Sequence, residues 1–464
     1  MTDRLFEADV RTVDVAAIIE QRRLGPFNYR LIILSLLITV FDGFDMLLIS
    51  FTAPYMRDDL GLDTLMLGNV FSAGLLGMML GGFVFSYLGD RIGRRPTVIG
   101  AAFAFGILTA ATALAETYHQ LLALRFLDGI AIGGMLPLAW ALNIEFVPKR
   151  FRSTVVTVIM LGYTAGSTLA GPLTVWIAPS YGWEGVFLLG GVGTLACATL
   201  LLVWLPESPR FLVSKGMRPD LVVRLLKRLD PAIDVRPGDR FVLGDEPVGQ
   251  YQRFRASQLF AGDLKFITPL LWLGYSASSL AIYFSASWAP IVLEAMDFPR
   301  NTAAVVASIG GLSGAALGLA VMRFTDRLGP LSIAIYAALA VPVLLMVGLT
   351  VAPMALFLPM VVLAAALIGG EHYGVLSIAG IFYPSAIRAS GAGWATSVAK
   401  VGGVLGPLLG AQVLASGVPA ERTYALLAVC PLIVGVCIVG IHLVIAARKR
   451  HPAPGIAAAP AIAP

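Results

Sequence analysis

Charged residues are scarce in this chain of 464 residues. Aspartate, glutamate, lysine and arginine together make up 13% of the sequence, whereas hydrophobic residues make up 58%. A soluble domain typically has about 25% charged residues, because its surface must face water. The composition therefore excludes an ordinary soluble protein and predicts one that is embedded in a membrane.

Cysteines and catalytic motifs are also scarce. The three cysteines, Cys197, Cys430 and Cys437, lie in apolar runs, and their spacing fits neither a metal site nor a disulfide framework. No nucleophile, base and orienting group form a recognisable motif, and no glycine-rich phosphate loop occurs. We therefore expect neither an enzyme nor a bound metal or cofactor.

Long apolar runs dominate the sequence instead. A helix that spans a bilayer needs roughly 20 apolar residues. About twelve such runs lie near 28–53, 66–89, 96–115, 119–145, 153–178, 185–205, 266–293, 302–324, 331–350, 353–382, 388–415 and 422–446. Because they are long and continuous, they predict helices rather than the alternating strands of a β-barrel. The predicted fold is an all-α membrane protein with twelve transmembrane helices.

Basic residues indicate the orientation. Most of those between or after the runs fall on one side of the predicted membrane: Arg91, Arg94, Arg95, Lys149, Arg150, Arg152, Arg448, Lys449 and Arg450. The connections on the other side contain only Arg57, Arg300 and Arg422. Because lysine and arginine favour cytoplasmic loops, both termini are predicted to be cytoplasmic. This bias explains the net charge of +5 without a nucleic-acid partner.

A polar stretch at 206–265 divides the apolar runs into two sets of six. The sequence therefore predicts two six-helix bundles, at 28–205 and 266–447, between cytoplasmic tails at 1–27 and 448–464. Within the linker, an amphipathic helix is expected to lie on the membrane surface, with its apolar positions at Leu221, Val222, Leu225, Leu226 and Leu229.

The two halves repeat each other. "GDRIGRRP" at 89–96 is matched by "TDRLGP" at 325–330, with an offset of 236 residues between Asp90 and Asp326. The same offset relates "PKRFR" at 148–152 to "PSAIR" at 384–388. The chain is therefore interpreted as a duplicated six-helix unit. Parallel repeats of this kind place a substrate site near the membrane midplane, between the halves.

These motifs carry a resemblance to a known family. With "RFLDGIAIGGMLP" in the fourth span and "PESPR" after the sixth, the chain resembles the major facilitator superfamily over nearly its whole length. "DGFD" in the first span and "YPSAIRASG" before the eleventh resemble the aromatic acid:proton symporter family. This resemblance implies a monomer in the bacterial inner membrane that imports benzoate-type acids with protons by alternating access. Ser86, His372 and Lys400 depart from the usual family residues.

Two carboxylates, Asp42 and Asp45, stand in the first apolar run. They are three residues apart and therefore share a helix face, and ionisable groups within a span normally face the bundle interior or a watery cavity. Either could carry the proton. The alternative is a structural ion pair with an arginine.

Arg125 in the fourth span is the expected counter-charge. At 1.5 Å per residue, Arg125 lies roughly 9 Å and Asp45 roughly 11 Å below the same membrane surface. Arg125 therefore either binds the substrate carboxylate or pairs with the aspartates, and the family resemblance favours a role in coupling. Asp128 lies on the same face one turn further and could complete an internal ion pair.

The repeat also transfers helix faces to the second half. Asp42 corresponds to Ser278, and Arg125 to Val361, from which His372 lies 11 residues further on the same face. Tyr275, Ser278 and His372 are therefore predicted substrate contacts, although a lone histidine could instead bond to a backbone carbonyl. Tyr163, Tyr275, Tyr283 and Phe284 could sandwich an aromatic ring, or merely fill helix interfaces.

Glu371 and Lys400 allow two interpretations. They could form a structural ion pair with each other, because an uncompensated lysine in a span is costly. Alternatively, Lys400 attracts the substrate anion and Glu371 releases it on protonation.

Charged residues near the cytoplasmic helix ends form a further predicted group. A gate that latches the outward-open state is expected from Asp90, Arg91, Arg94, Glu145, Arg152, Asp326, Arg327 and Arg388. Alternatively, these charges only set the membrane topology.

Three functions remain as alternatives to aromatic-acid import. The first two are porters of another organic anion or of a sugar, since "PESPR" also occurs in sugar and organic-cation porters. Arg125, His372 and Lys400 favour an anionic guest. A non-transporting membrane sensor fits less well, because the linker is too short for a large soluble domain.

Overall fold

The computed structural model describes residues 11–244, 255–350, 353–384 and 387–450. In the first half of this part, the chain forms β1 (Thr12–Asp14), α1 (Val15–Glu20), α2 (Pro26–Leu60), α3 (Thr64–Ile92), α4 (Arg94–Thr112), α5 (Tyr118–Gly133), α6 (Met135–Glu145) and α7 (Lys149–Trp204). Helices α5 and α6 together form one span.

Helix α7 crosses the membrane twice. Its 56 residues would extend over roughly 80 Å as a straight helix, whereas the bilayer core is only about 30 Å thick. Gly182 breaks it with φ 68° and ψ 178°, a conformation that glycine adopts without steric cost. Glu145 just before α7 bonds to Ser208 just after it, so both ends of α7 lie at the same end of the bundle.

The linker and the second half follow. The linker contains α8 (Pro209–Ser214), α9 (Pro219–Leu229), β2 (Arg240–Val242) and a 3₁₀ turn (Ala256–Phe260). The second half contains α10 (Leu264–Ala295), α11 (Arg300–Leu328), α12 (Leu331–Leu349), α13 (Met354–Ile378), α14 (Arg388–Ala415), α15 (Arg422–Leu427) and α16 (Val429–Arg450). In the described residues, eleven helical segments are long and apolar enough to cross a membrane. Counting both parts of α7 gives twelve crossings, which confirms the predicted all-α fold.

The two halves pack as the repeat predicts. Helix α3 packs on α14, and the equivalent helix α11 packs on α7. The hydroxyl of Ser50 donates to the carbonyl oxygen of Ala286 at 2.7 Å, and these two residues are separated by 236 positions. Residues related by the repeat therefore meet at the interface between the halves.

The two ends of the bundle differ. We call the end with residues 11–25, 205–244 and 255–263 the linker end, and the end with the turns at 61–63 and 296–299 the distal end. Glycine brings the halves close near the distal end, since a Cβ on Gly68 would lie only 2.4 Å from the Cβ of Ala411.

A small unit covers the first half at the linker end. Strand β1 pairs in parallel with β2, and Thr12 lies opposite Arg240. The buried side chains of Val222, Val223, Leu225 and Leu226 on α9 form one cluster with Val13, Val15, Ile19, Leu212 and Val235. The amphipathic helix predicted in the linker is therefore present. Its apolar face packs on protein rather than on lipid, and its position at the membrane surface stays a prediction.

Candidate functional site

A cluster of buried charges lies inside the first half. A terminal nitrogen of Arg125 is 3.1 Å from a carboxylate oxygen of Asp45, and the other is 2.9 Å from Asp128. That second nitrogen also donates to the hydroxyl of Thr112 at 3.0 Å. All three charged side chains are nearly inaccessible to solvent. The matched depths inferred from the sequence thus correspond to a direct contact between Asp45 and Arg125.

This cluster has one more carboxylate than cation. The hydroxyl of Thr109 is 3.2 Å from Asp45 and 3.1 Å from Asp128, but it has a single proton to donate. One arginine cannot neutralise two ionised carboxylates in a buried site, where an uncompensated charge is expensive. A proton on one of the two carboxyl groups would make the cluster neutral and supply the missing hydrogen-bond donor.

Asp42 is separate from this cluster. It is buried, and neither of its carboxyl oxygens has a hydrogen-bond partner in the described chain. The adjacent Gly43 allows α2 to approach α7 closely, because a Cβ at Gly43 would lie 2.0 Å from the carbonyl oxygen of Tyr163. The phenols of Tyr163 and Tyr283 lie within electrostatic range of Asp42.

A cavity of about 300 Å³ lies between the two halves. This is the lower end of the size range of small-molecule sites. Its rings and hydroxyl groups come from Phe51, Tyr163, Ser167, Tyr283, Phe284, Ser285, His372, Tyr373, Thr423 and Tyr424. Among the described residues that line it there is no aspartate, glutamate, lysine or arginine, and His372 is the one that can become a cation.

His372 is oriented by the residues behind it. Its Nδ1 lies 3.0 Å from the hydroxyl of Ser278, which in turn donates to the carbonyl oxygen of Tyr275 at 3.2 Å. Because the Ser278 proton is used there, its oxygen is free to accept from Nδ1–H. This arrangement leaves the lone pair of Nε2 without a partner in the described chain, and thus available to a guest in the cavity.

The comparison with known proteins identifies the family. The sequence profile of the Major Facilitator Superfamily matches residues 35–407. The chain belongs to the major facilitator superfamily. Among its relatives, the 4-hydroxybenzoate transporter PcaK of Pseudomonas putida is 32% identical over 90% of this chain and 93% of the relative. The gallate transporter of Pseudomonas putida is 32% identical over 89% of this chain and 92% of the relative.

Solved structures of the superfamily share the fold. The xylose transporter XylE of E. coli superposes with a TM-score of 0.67 at 17% identity, covering 89% of this chain and 97% of XylE. Together with the relatives, this similarity confirms the resemblance stated from the motifs and the expectation that the chain is a transporter and not an enzyme.

In this superfamily member, several predicted contacts do not reach the cavity. Tyr275 and Ser278 were predicted to face the centre, but neither lines the cavity. Instead they support His372, whose ring centroid is 5.7 Å from that of Tyr275. Arg125 also does not line it, because both of its terminal nitrogens are engaged within the charge cluster. In this conformation Arg125 therefore faces the charge cluster, and its direct contact with a substrate stays a prediction.

Of the two interpretations of Glu371 and Lys400, the structure contradicts the ion pair. Glu371 is buried without a partner for either oxygen in the described chain, and it lies within electrostatic range of Cys430 on α16. Lys400 points across the interface between the halves instead, since a Cβ on Gly82 of α3 would lie 3.3 Å from its Nζ. Glu371 is rotated by about 100° around the helix axis from the cavity face, and this rotation directs its side chain toward α16.

The predicted gate residues form a network at the linker end of the first half. Arg94 lies 2.7 Å from Glu145 and 3.8 Å from Asp90, and Glu145 accepts a hydrogen bond from Ser208. Glu207 accepts from the backbone N–H of Arg94 at 3.1 Å. This network therefore connects the linker to α3, α4 and α6.

Three other predicted gate residues form hydrogen bonds elsewhere in the described part of the chain. Arg152 donates to the carbonyl oxygen of Val147, Arg388 to that of Tyr383, and Arg91 to the hydroxyl of Tyr87. The expected link between Arg152 and the network was wrong. The side chains of Asp326 and Arg327 lie outside the described residues.

The sequence prediction missed an ion-pair group at the distal end. Arg57 on α2 lies 3.2 Å from Glu294 on α10, and Arg300 on α11 lies 2.9 Å from the same oxygen. Arg300 also pairs with Asp58, and its guanidinium lies 5.0 Å from the ring centroid of Tyr55. The pairs of Arg57 with Glu294 and of Arg300 with Asp58 join the two halves, whereas Arg300 and Glu294 belong to the same half. The available signal was that Arg57 and Glu294 are 237 positions apart, one more than the repeat offset.

Proposed function

We propose that this protein imports an aromatic carboxylic acid of the hydroxybenzoate type together with a proton. The observation that carries the proposal is the central cavity, which combines aromatic rings and hydroxyl groups with His372. Two of its tyrosines, Tyr163 and Tyr283, lie within electrostatic range of the buried Asp42. The relatives named as 4-hydroxybenzoate and gallate transporters support this class of substrate.

His372 is the proposed partner of the substrate carboxylate. When its Nε2 takes up a proton, the imidazolium can form a charge-assisted hydrogen bond with a carboxylate in the cavity. Ser278 and Tyr275 act indirectly, because they hold the ring and its tautomer. The phenols of Tyr163, Tyr283, Tyr373 and Tyr424 supply ring contacts and partners for the hydroxyl groups of the guest.

The proposed proton carriers are Asp42 and the pair formed by Asp45 and Asp128. Asp42 has no partner here, and an ionised carboxylate in that setting would be costly, so we infer that it is protonated in this conformation. Arg125 compensates one charge of the pair, while Thr109 links both carboxyl groups. Binding of the substrate anion to a protonated carrier reduces the net charge that crosses the membrane.

The linker end is the proposed cytoplasmic side of a bacterial inner membrane. Both termini then lie in the cytoplasm, as the distribution of basic residues predicts. The closed distal ion pairs support the proposal of an inward-facing state, and the proposed functional unit is a monomer. Residues 28–205 and 266–447 are the proposed moving halves, the 206–265 linker joins them, and the tails at 1–27 and 448–464 lie on the linker side.

Lys400 and the linker-end network have proposed roles in the cycle. Lys400 is a half-buried cation without an acidic partner in the described chain, so it can attract a substrate anion on the cytoplasmic path. Arg94, Asp90 and Glu145 hold the first half as a rigid unit at the linker end. The gate role of Asp326, Arg327 and Arg388 rests on the sequence repeat alone.

Uptake into proteoliposomes tests the proposal. Labelled 4-hydroxybenzoate and protocatechuate should accumulate when an inward proton gradient is imposed, and accumulation should stop in Asp45→Asn. Exchange of substrate across the membrane without a gradient should survive this substitution if Asp45 serves coupling rather than binding. Failure of both acids to accumulate in the wild type would refute the substrate class, and sugars and other organic anions would then be tested.

A further inference from the structure

A groove runs along the lipid-facing surface of the first half at the linker end. It lies between the start of α2 and the end of α7, and two contiguous parts have volumes of about 590 Å³ and 660 Å³. They share Pro26, Arg30 and Trp204. The groove is separate from the central cavity, and its description does not depend on what the protein transports.

The larger part of the groove is mostly apolar. Ile33, Leu34, Leu37 and Leu200 line it, together with Tyr29 and Trp204. Tyr29 and Ile33 are more than half exposed in the isolated protein, and Trp204 is 47% exposed. In a membrane this surface meets acyl chains, because apolar side chains on a span that are not covered by protein face lipid.

The smaller part of the groove is basic. Arg30 on α2 and Arg228 on α9 both line it, and both are exposed. Neither guanidinium has an acidic partner in the described chain, whereas the nearby Arg22 is paired with Asp230. Tyr29 and Trp204 flank this region, and such aromatic side chains prefer the headgroup level of a bilayer.

We propose that this groove binds an anionic phospholipid. Its phosphate lies between Arg30 and Arg228, and one acyl chain follows the slot along Ile33 and Leu37. Two unpaired guanidiniums fit a phosphate, which accepts hydrogen bonds from the planar fork of arginine. The chemistry of the groove selects a lipid rather than free phosphate, because an apolar slot about two helix turns long continues from the basic site.

The bound lipid would connect the linker to the membrane. Arg228 belongs to α9, whereas Arg30 belongs to the first span, so a shared phosphate would hold the linker unit against α2. The neighbouring Leu229 already packs on the core of the first half at this end. The lipid would therefore strengthen a contact that the protein makes on its own.

Native mass spectrometry of the full chain tests the proposal. Wild-type protein, purified in detergent, is titrated with phosphatidylglycerol and with phosphatidylcholine of the same acyl chains. The double variant Arg30→Gln, Arg228→Gln should bind the first phosphatidylglycerol roughly 10- to 30-fold more weakly. The control Lys215→Gln, Arg224→Gln removes the same charge from the linker unit outside the groove, and its affinity should stay within about twofold of the wild type.

The outcomes separate the alternatives. Equal binding of the two lipids by the wild type, or an equal loss in both double variants, would overturn the proposal. Displacement of phosphatidylglycerol by millimolar inorganic phosphate would also overturn it, because the site would then recognise only the anion. Ile33→Trp, which fills the slot and keeps both arginines, should lower lipid binding as well.

Discussion

The distal ion pairs allow a quantitative prediction about the conformational equilibrium. Replacing Arg300 with glutamine removes its pairs with Glu294 and Asp58 and its contact with Tyr55. Of these contacts, only those with Asp58 and Tyr55 of α2 cross between the halves, since Glu294 lies in the same half as Arg300. Asp58 is 52% exposed, and an exposed pair contributes about 0.2–1 kcal/mol, while an exposed cation–π contact contributes about 0.5–1 kcal/mol. The closed distal end should therefore lose about 1–2 kcal/mol, which shifts the equilibrium roughly 5- to 30-fold toward the state open at this end.

Cysteine labelling measures this shift. The native cysteines are buried, so a cysteine introduced at Ser167 in the cavity serves as the reporter. An impermeant maleimide added from the distal side should react roughly 5- to 30-fold faster in Arg300→Gln than in the wild type. High salt should reduce the difference, because it screens exposed charges. Arg422→Gln is the matched control, since Arg422 is exposed near the same end and forms no ion pair in the described chain.

One result would refute the reasoning. If Arg300→Gln labels at the rate of Arg422→Gln, the distal pairs do not hold the halves together, and apolar packing alone closes this end. A slower rate would mean that the pairs favour the open state instead.

Three further predictions concern the cavity, the charge cluster and the linker unit. Gly311 lines the cavity with open space around it, so the side chain of Gly311→Leu should occupy the cavity and abolish substrate binding in a ligand-stabilised melting assay. The control is Gly393→Leu, at an open position that does not line the cavity, and it should retain binding. Thr109→Val removes the hydroxyl between Asp45 and Asp128; it should shift the pH dependence of proton-driven uptake while leaving counterflow exchange intact, and an unchanged pH profile would contradict the shared-proton arrangement. Leu226→Ala in the buried linker cluster should destabilise that unit by about 2–5 kcal/mol. Hydrogen exchange at residues 11–25 should become faster while uptake is retained. Exchange as slow as in the wild type would contradict the packing of α9 on this segment.

The sequence predicted those parts of the site that depend on helical geometry alone. Depth counting placed Asp45 and Arg125 at the same level, and the two residues are indeed in contact. The repeat placed His372 on the inner face, and both His372 and its repeat partner Leu136 line the cavity. Helix period and repeat offset were sufficient for these residues because each sits on a long regular helix.

Other parts depended on how helices rotate and meet. Tyr275 and Ser278 were assigned to the correct helix, but the ring of His372 lies between them and the cavity. Lys400 and Glu371 matched in depth, yet Lys400 points toward α3 and Glu371 toward α16. The distal ion pairs join helix ends from both halves, so their partners were set by the closure of the bundle, which no local pattern encodes.

The bond between Ser50 and Ala286 has a consequence for the origin of the chain. A residue that touches its own counterpart one repeat later occupies the place where, in a symmetric dimer, a surface would meet an identical surface. The same arrangement would arise if two separate copies of a six-helix ancestor associated around a two-fold axis. Fusion of the copies would then have allowed the two halves to diverge in sequence. Serine in the first half and alanine at the equivalent position in the second are consistent with this divergence.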